Sequence, residues 1–196
     1  MAAKVWNLFG GSGDLGESTF TELGEGGDFE RGDYLGRNLH FGIREQGMCG
    51  ILNGIALHDG FIPYGSSFLV FTDYCRASIR LACLMGLHVI YVFTHDSIGL
   101  GEDGPIHQPV EHLTALRATP NFTVIRPADA NEAVEAWRAA MLRENGPTML
   151  VLTRQSVPTF DRSEMASATG VRRGAYVLTE TRERKSDIIL IGTGSE

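Results

Sequence analysis

The sequence predicts an α/β domain, a doubly wound and mostly parallel sheet with helices on both faces. Three observations carry that expectation. Short runs rich in β-branched and aromatic residues recur along the chain, stretches with helical apolar spacing lie between them, and glycine-rich segments follow two of the runs.

Val5 to Phe9 is the first strand-like run, and Gly10 to Gly16 is the glycine-rich segment behind it. Gly24 to Gly36 is more polar and reads as a surface segment. Met48, Ile51, Leu52 and Ile55 then fall at helical spacing. Gly65-Ser66-Ser67 reads as a small-residue loop, after which Phe68, Phe71 and Tyr74 open a helix at three-residue intervals. Val89 to Phe93 is the next strand, followed by the glycine-rich Gly99 to Gly104. Phe122 to Ile125 and Thr148 to Thr153 are two more. The helix between them carries Ala133, Ala136, Trp137, Ala140 and Met141 on one face, with Asp129 and Glu132 as a capping box and Gly146-Pro147 as a stop. Runs of this apolar kind bury as parallel strands. Ligands of such sheets bind in the loops beyond the carboxyl ends of the strands, so the glycine-rich segments are where a site is sought.

Past Ser156-Val157-Pro158 the pattern changes. Asp161 to Gly170 is polar, and Ala175 to Leu178 and Ile188 to Ile191 have strand character. The expectation is that residues 1–158 form the α/β domain. Residues 159–196 would be a linker and the first strands of a truncated carboxy-terminal domain, since one or two strands cannot bury a core. The chain is therefore expected to be a fragment of a larger protein.

Composition narrows the class. A chain of 196 residues, 43% hydrophobic and 21% charged, suits a soluble globular domain, and a net charge of -7 disfavours nucleic acid and anionic membranes as partners. There is neither a signal-peptide core nor a run long enough to span a membrane, so a cytoplasmic location is expected. Cys49, Cys75 and Cys83 sit in apolar stretches at irregular spacing and read as buried free thiols. With no Cys-x-x-Cys or His-x-x-x-His pair, no metal ligands are expected in the chain.

Candidate chemistry concentrates at a few places. Glu45 opens an apolar helix after Phe41-Gly42-Ile43, where a carboxylate is either a dipole-compensating cap or a catalytic group. Phe68, Phe71 and Tyr74 are core residues, a platform for a flat heterocycle, or both. His95, Asp96, Asp103 and His107 crowd a glycine-rich strand-end loop, which needs no such chemistry merely to turn, and contacts to substrate hydroxyls fit them better than a metal. Arg154 follows a strand and is either a surface charge or a group pointing into the same crevice. Gly11 to Gly16 has the wrong glycine spacing for a dinucleotide fingerprint, and Gly42 to Gly50 lacks the Gly-Lys-Ser/Thr ending of a P-loop.

Together, Gly42 to Met48 (GIREQGM), Pro63 to Tyr74, Thr94 to Pro109 (THDSIGLGEDGPIHQP) and Leu152 to Gln155, in this order, resemble the central pyrimidine-binding domain of the transketolase family. The resemblance runs from about Gly10 to Glu196. It implies a thiamine diphosphate enzyme that moves a two-carbon ketol unit from a ketose phosphate to an aldose phosphate.

By residue-to-residue matching, Glu45 falls on the glutamate whose protonated carboxyl donates to the aminopyrimidine, a task suited to an apolar pocket. Phe68, Phe71 and Tyr74 fall on the aromatic pocket for the pyrimidine, with Asp14 on the cofactor side. His95 and Asp103 match contacts to substrate hydroxyls, and His107 matches a catalytic group beside the reacting carbons. Ser18 and Arg154 match contacts to the substrate phosphate.

The sequence departs from the family at Gly13, where alanine is usual, and at Thr19, where asparagine is common. The family's Gly-Asp-Gly motif, which holds magnesium or another divalent cation and the diphosphate, is not in these residues. The metal and diphosphate are thus expected on another domain or subunit, the intact enzyme is expected to be a homodimer, and this chain alone is expected to be inactive. Dihydroxyacetone synthase-like and deoxyxylulose-phosphate synthase-like enzymes are the neighbouring activities, and a non-catalytic transketolase-like subunit is the alternative of another class.

Overall fold

The computed structural model describes residues 2–180 and 186–196. Its strands are β1 (Leu8–Ser12), β2 (Asn38–His40), β3 (Ile62–Phe68), β4 (Ile90–Thr94), β5 (Thr123–Ile125) and β6 (Thr148–Val151). The α-helices are α1 (Gly16–Thr19), α2 (Glu45–His58), α3 (Thr72–Met85), α4 (His112–Arg117) and α5 (Ala130–Leu142). All six strands are parallel, in the order β2-β1-β3-β4-β6-β5. The chain runs outward from β1 to β2 and then crosses back to β3, so the topological switch lies between β1 and β3. This is the crevice where doubly wound sheets hold ligands.

Side chains alternate across a strand, and β4 puts that alternation to use. Tyr91 and Phe93 pack on one face with Met48 and Leu52 of α2 and Ile79 and Ala82 of α3. Ile90 and Val92 pack on the other with Ala136 and Ala140 of α5. Both faces of β4 are therefore covered, which explains a strand without polar alternation.

Three expectations are corrected. The first strand is Leu8–Ser12 rather than Val5 to Phe9, so Gly10 and Gly11 belong to the sheet and not to the loop. Neighbouring strands approach so closely there that a Cβ at Gly10 would lie 1.8 Å from the Tyr64 carbonyl oxygen, and one at Gly11 1.9 Å from that of Leu39. Gly65-Ser66-Ser67 is the middle of β3, paired with β1 and β4, and the helix that follows begins at Thr72. Phe68 thus ends a strand, Phe71 lies in a short 3-10 turn, and only Tyr74 is in α3.

The third correction concerns the tail. Neither Ala175 to Leu178 nor Ile188 to Ile191 forms a strand, and the four residues 188–191 are exposed. Residues beyond 158 nevertheless dock on the domain. Arg162 Nη2 donates to the Asp129 carboxylate at 3.0 Å and Nη1 to the Tyr176 hydroxyl at 3.0 Å, and a 3-10 segment, Ala168–Arg173, lies along α5. Asp129 caps α5 as expected, its Oδ1 accepting from Glu132 N at 2.9 Å, but Glu132 reaches back to Ala128 N rather than to Asp129 N.

Candidate functional site

The site is built at the carboxyl ends of β1, β3, β4 and β6. Glu45 is the first residue of α2 and is buried, 6% exposed. Its Oε1 accepts from the Ser67 hydroxyl at 3.3 Å. Ser67 is itself fully buried in β3. Just past the end of β1, a Cβ on Gly13 would stand 3.7 Å from Glu45 Oε1, so that backbone lies beside the carboxyl.

Next to Ser67, Phe68 begins an aromatic wall. Phe71 lies nearly parallel to it with centroids 5.8 Å apart, and Tyr74 continues the row 6.0 Å from Phe71. On the other side the His95 ring stacks on Phe68 with centroids 3.7 Å apart. His107 meets both Phe68 and Phe71 edge-on at 6.1 and 5.6 Å.

His95 follows the last residue of β4 and adopts φ 63, a left-handed conformation uncommon for a residue with a side chain. Thr94 Oγ1 and His95 Nδ1 are 2.8 Å apart, and Nε2 faces Asp103 Oδ2 at 3.8 Å. Burial lowers the proton affinity of His95 below that of an ordinary histidine; Arg154 and His107 push the same way, and the Asp103 charge opposes them. The ring is therefore neutral near pH 7 and offers a neutral hydrogen-bonding nitrogen rather than a cation. Arg154 Nε also faces Asp103 Oδ2 at 3.8 Å, and His107 Nδ1 is 3.0 Å from the Asp103 carbonyl oxygen.

Eight of the ten residues that the family resemblance points to thus line one continuous rim: Glu45, through Ser67, the three aromatics, His95, Asp103, His107 and Arg154; Asp96, in the same loop, pairs with Arg126 instead. The other two lie on the β1 side. Asp14 (φ 68) and Ser18 are exposed, and their side chains make no hydrogen bond or ion pair among the described residues. The short α1 that carries Ser18 is pinned to β3 through Thr19, whose hydroxyl bonds the Leu15 carbonyl at 2.8 Å and lies 2.9 Å from Thr21 Oγ1. Thr21 Oγ1 in turn is 2.5 Å from Ser66 Oγ. Apart from the rim, Asp73, Glu111 and His112 form a small group in which His112 Nε2 is 3.2 Å from Asp73 Oδ2, with Arg76 pairing the same aspartate at 3.3 Å.

Sequence reasoning missed Ser67, Thr94 and Arg126. Ser67 was hidden by its reading as loop. Arg126 follows the strand-like run Phe122 to Ile125 just as Arg154 follows Thr148 to Thr153, and that shared sequence position is the signal that would have found it.

Sheet order and switch point together define a doubly wound α/β domain, with the rim as a candidate small-molecule site at its carboxyl edge. The family model described as "Transketolase, pyrimidine binding domain" matches residues 1–159, and the chain belongs to that family. It is 56% identical over 196 residues to the transketolase of Aquifex aeolicus and 53% identical over 196 residues to that of Geobacillus stearothermophilus. Each alignment covers 100% of this chain, but the chain spans only 28% and 29% of those proteins' lengths. Among solved structures it resembles a transketolase from Pichia stipitis in complex with sedoheptulose-7-phosphate, with TM-score 0.87 and 41% identity, over 93% of this chain and 27% of that one. A split-gene transketolase described as an inactive β4 tetramer is similar with TM-score 0.64 and 28% identity, over 83% of this chain and 50% of that one.

Proposed function

We propose that this chain is the pyrimidine-side half of a transketolase, an enzyme that transfers a two-carbon ketol unit between sugar phosphates with thiamine diphosphate. The observation that carries the reading is the buried Glu45 carboxyl, held by Ser67 and set next to an aromatic wall. Those features fit a flat, nitrogen-containing ring: the aromatics give it a face and the carboxyl gives it a proton donor. When bound, the cofactor supplies a thiazolium carbon that stabilises negative charge.

In this reading Glu45 holds a proton against a pyrimidine nitrogen, while Phe68, Phe71 and Tyr74 fix the ring and exclude water from the carboxyl. Asp14 approaches the cofactor from the β1 side. His95 and Asp103 orient substrate hydroxyls, and His107, held by the Asp103 carbonyl, moves a proton beside the reacting carbons. Arg154 and Ser18 receive the substrate phosphate, for which the planar guanidinium is suited.

Residues 1–158 form the pyrimidine-binding domain in this reading and 159–196 lead into a further domain. Magnesium or another divalent cation and the diphosphate are held by a partner domain or subunit. The intact assembly is a homodimer, and exposed apolar residues on α2 and α3, among them Leu57 and Leu84, are what a subunit interface would cover. The inactive split-gene relative supports the view that the separated half does not turn over. A cytoplasmic location accords with three free, buried cysteines and with the lack, among the described residues, of any helix long and apolar enough to cross a membrane.

The test replaces Glu45→Gln in the enzyme assembled with its diphosphate-binding part. Loss of a positioned acid–base group lowers kcat for ketol transfer by about a hundredfold or more. A variant that turns over at the wild-type rate would exclude the proton-relay role.

A further inference from the structure

The loop that carries His95 is also gripped from behind. Asp96, next in sequence, is buried, and its Oδ2 accepts from Arg126 Nε at 2.5 Å. The remaining guanidinium nitrogens turn toward the carboxy-terminal segment. Nη1 donates to the Thr193 carbonyl at 2.9 Å and to Glu196 Oε2 at 3.2 Å, and Nη2 donates to Glu196 Oε1 at 3.1 Å. One arginine thus binds a carboxylate on each side, bidentately on the tail side.

A second bridge runs in parallel. Gln155 Nε2 donates to Ser97 Oγ at 3.3 Å and to Ser195 Oγ at 3.1 Å, and Ser195 Oγ donates to Thr153 Oγ1 at 3.3 Å. The tail is shaped for its seat. Gly194 has φ +67, and a Cβ there would lie 2.6 Å from Arg126 Nε, so both the turn and the closeness of the guanidinium require glycine.

A buried Asp–Arg pair on its own needs no third partner to be neutral. Here the pair extends to Glu196, whose side chain is half exposed, and so links the loop to a segment far away in sequence. His95 is held in a left-handed conformation whose cost must be met by its surroundings.

We propose that Thr193 to Glu196 is a positioning latch: Glu196 holds Arg126, Arg126 holds Asp96, and Asp96 fixes the backbone that aims His95 at the rim. Arg126, Asp96 and Glu196 act through His95 and touch no substrate. The latch stands on these contacts alone, while its effect on sugar phosphate rests on the function proposed above.

Hydrogen exchange on this 196-residue chain, wild type against Glu196→Gln, decides it. Glu196 is partly exposed, so its replacement opens no core. Breaking one charge-assisted bidentate contact raises exchange across residues 94–100 about tenfold, along with residues 193–196, while exchange in α2 and α5 changes less. Acylation of His95 by diethyl pyrocarbonate, slow in wild type because the ring is buried, accelerates in parallel. Arg126→Lys, which keeps the charge but loses the fork, gives the same local pattern. If Glu196→Gln releases only 193–196 and leaves 94–100 at wild-type protection, the latch is wrong and the tail is merely parked. In the assembled enzyme the latch predicts a raised KM for the sugar phosphate with kcat changed less. The exchange result stands whether or not ketol transfer is observed.

Discussion

On the β3–β4 side of the rim, Phe68, His95 and His107 hold one another through ring contacts, whereas on the β1 side Asp14 and Ser18 stand in solvent without a side-chain partner among the described residues. Both sides hold a non-glycine residue in the left-handed region within two residues of a strand end, Asp14 at φ 68 and His95 at φ 63. Aspartate tolerates that conformation more readily than histidine. His95 keeps it because stacking, the Thr94 bond and the Asp96–Arg126 pair surround it. One side of the site is therefore preorganised by packing, and groups fixed in advance lose little freedom when a ligand arrives. The other side keeps its polar groups hydrated, so their contribution to binding is reduced by the ordering that binding imposes.

The strongest way to break this contrast is Phe68→Ala. Phe68 is buried and carries the His95 stack, so truncation should lower unfolding free energy by about 3 kcal/mol in urea titrations. A loss below about 1 kcal/mol, the range of surface changes, would mean that the wall is not packed as described.

A subtler effect concerns pH. Burial makes His95 a weaker base in the folded protein than in the unfolded chain, so below about pH 6.5 the unfolded state takes up a proton that the folded state does not. Stability attributable to His95 is thus intact above that pH, falls as pH drops toward the folded value, and levels off below it. His95→Asn should remove this part of the slope from denaturation curves measured between pH 7.5 and about pH 5. An unchanged slope would count against a neutral, buried ring.

The smallest expected effect sharpens the other half of the comparison. Asp14→Asn and Ser18→Ala should each shift unfolding free energy by less than about 0.5 kcal/mol, because neither side chain has a partner to lose. A larger loss in the same titrations would show that the β1 side is already organised.

Much of this was legible in the sequence because it is local. The helices over 45–58 and 130–142 announce themselves through apolar spacing and, in the second, through Asp129 as cap. The loop with His95, Asp103 and His107 stood out because titratable groups are dense in it, and its motif carried the family resemblance. β3 was not legible. Pro63, Gly65, Ser66 and Ser67 lack the β-branched pattern, and this stretch is a strand because β1 and β4 flank it on both sides. The converse holds at 188–191, where an ideal β pattern forms no strand and stays exposed.

The sequence by itself determined the α/β class, the two long helices and the residue types of the candidate site, because helical periodicity, capping and motif spacing act over a few residues. Only the tertiary structure decided that Ser67 would hold Glu45, that His95 would stack on Phe68, and that Arg126 would tie Asp96 to Glu196. Those contacts join residues 22, 27, 30 and 70 positions apart, and they exist only because parallel strands bring their carboxyl ends to one edge.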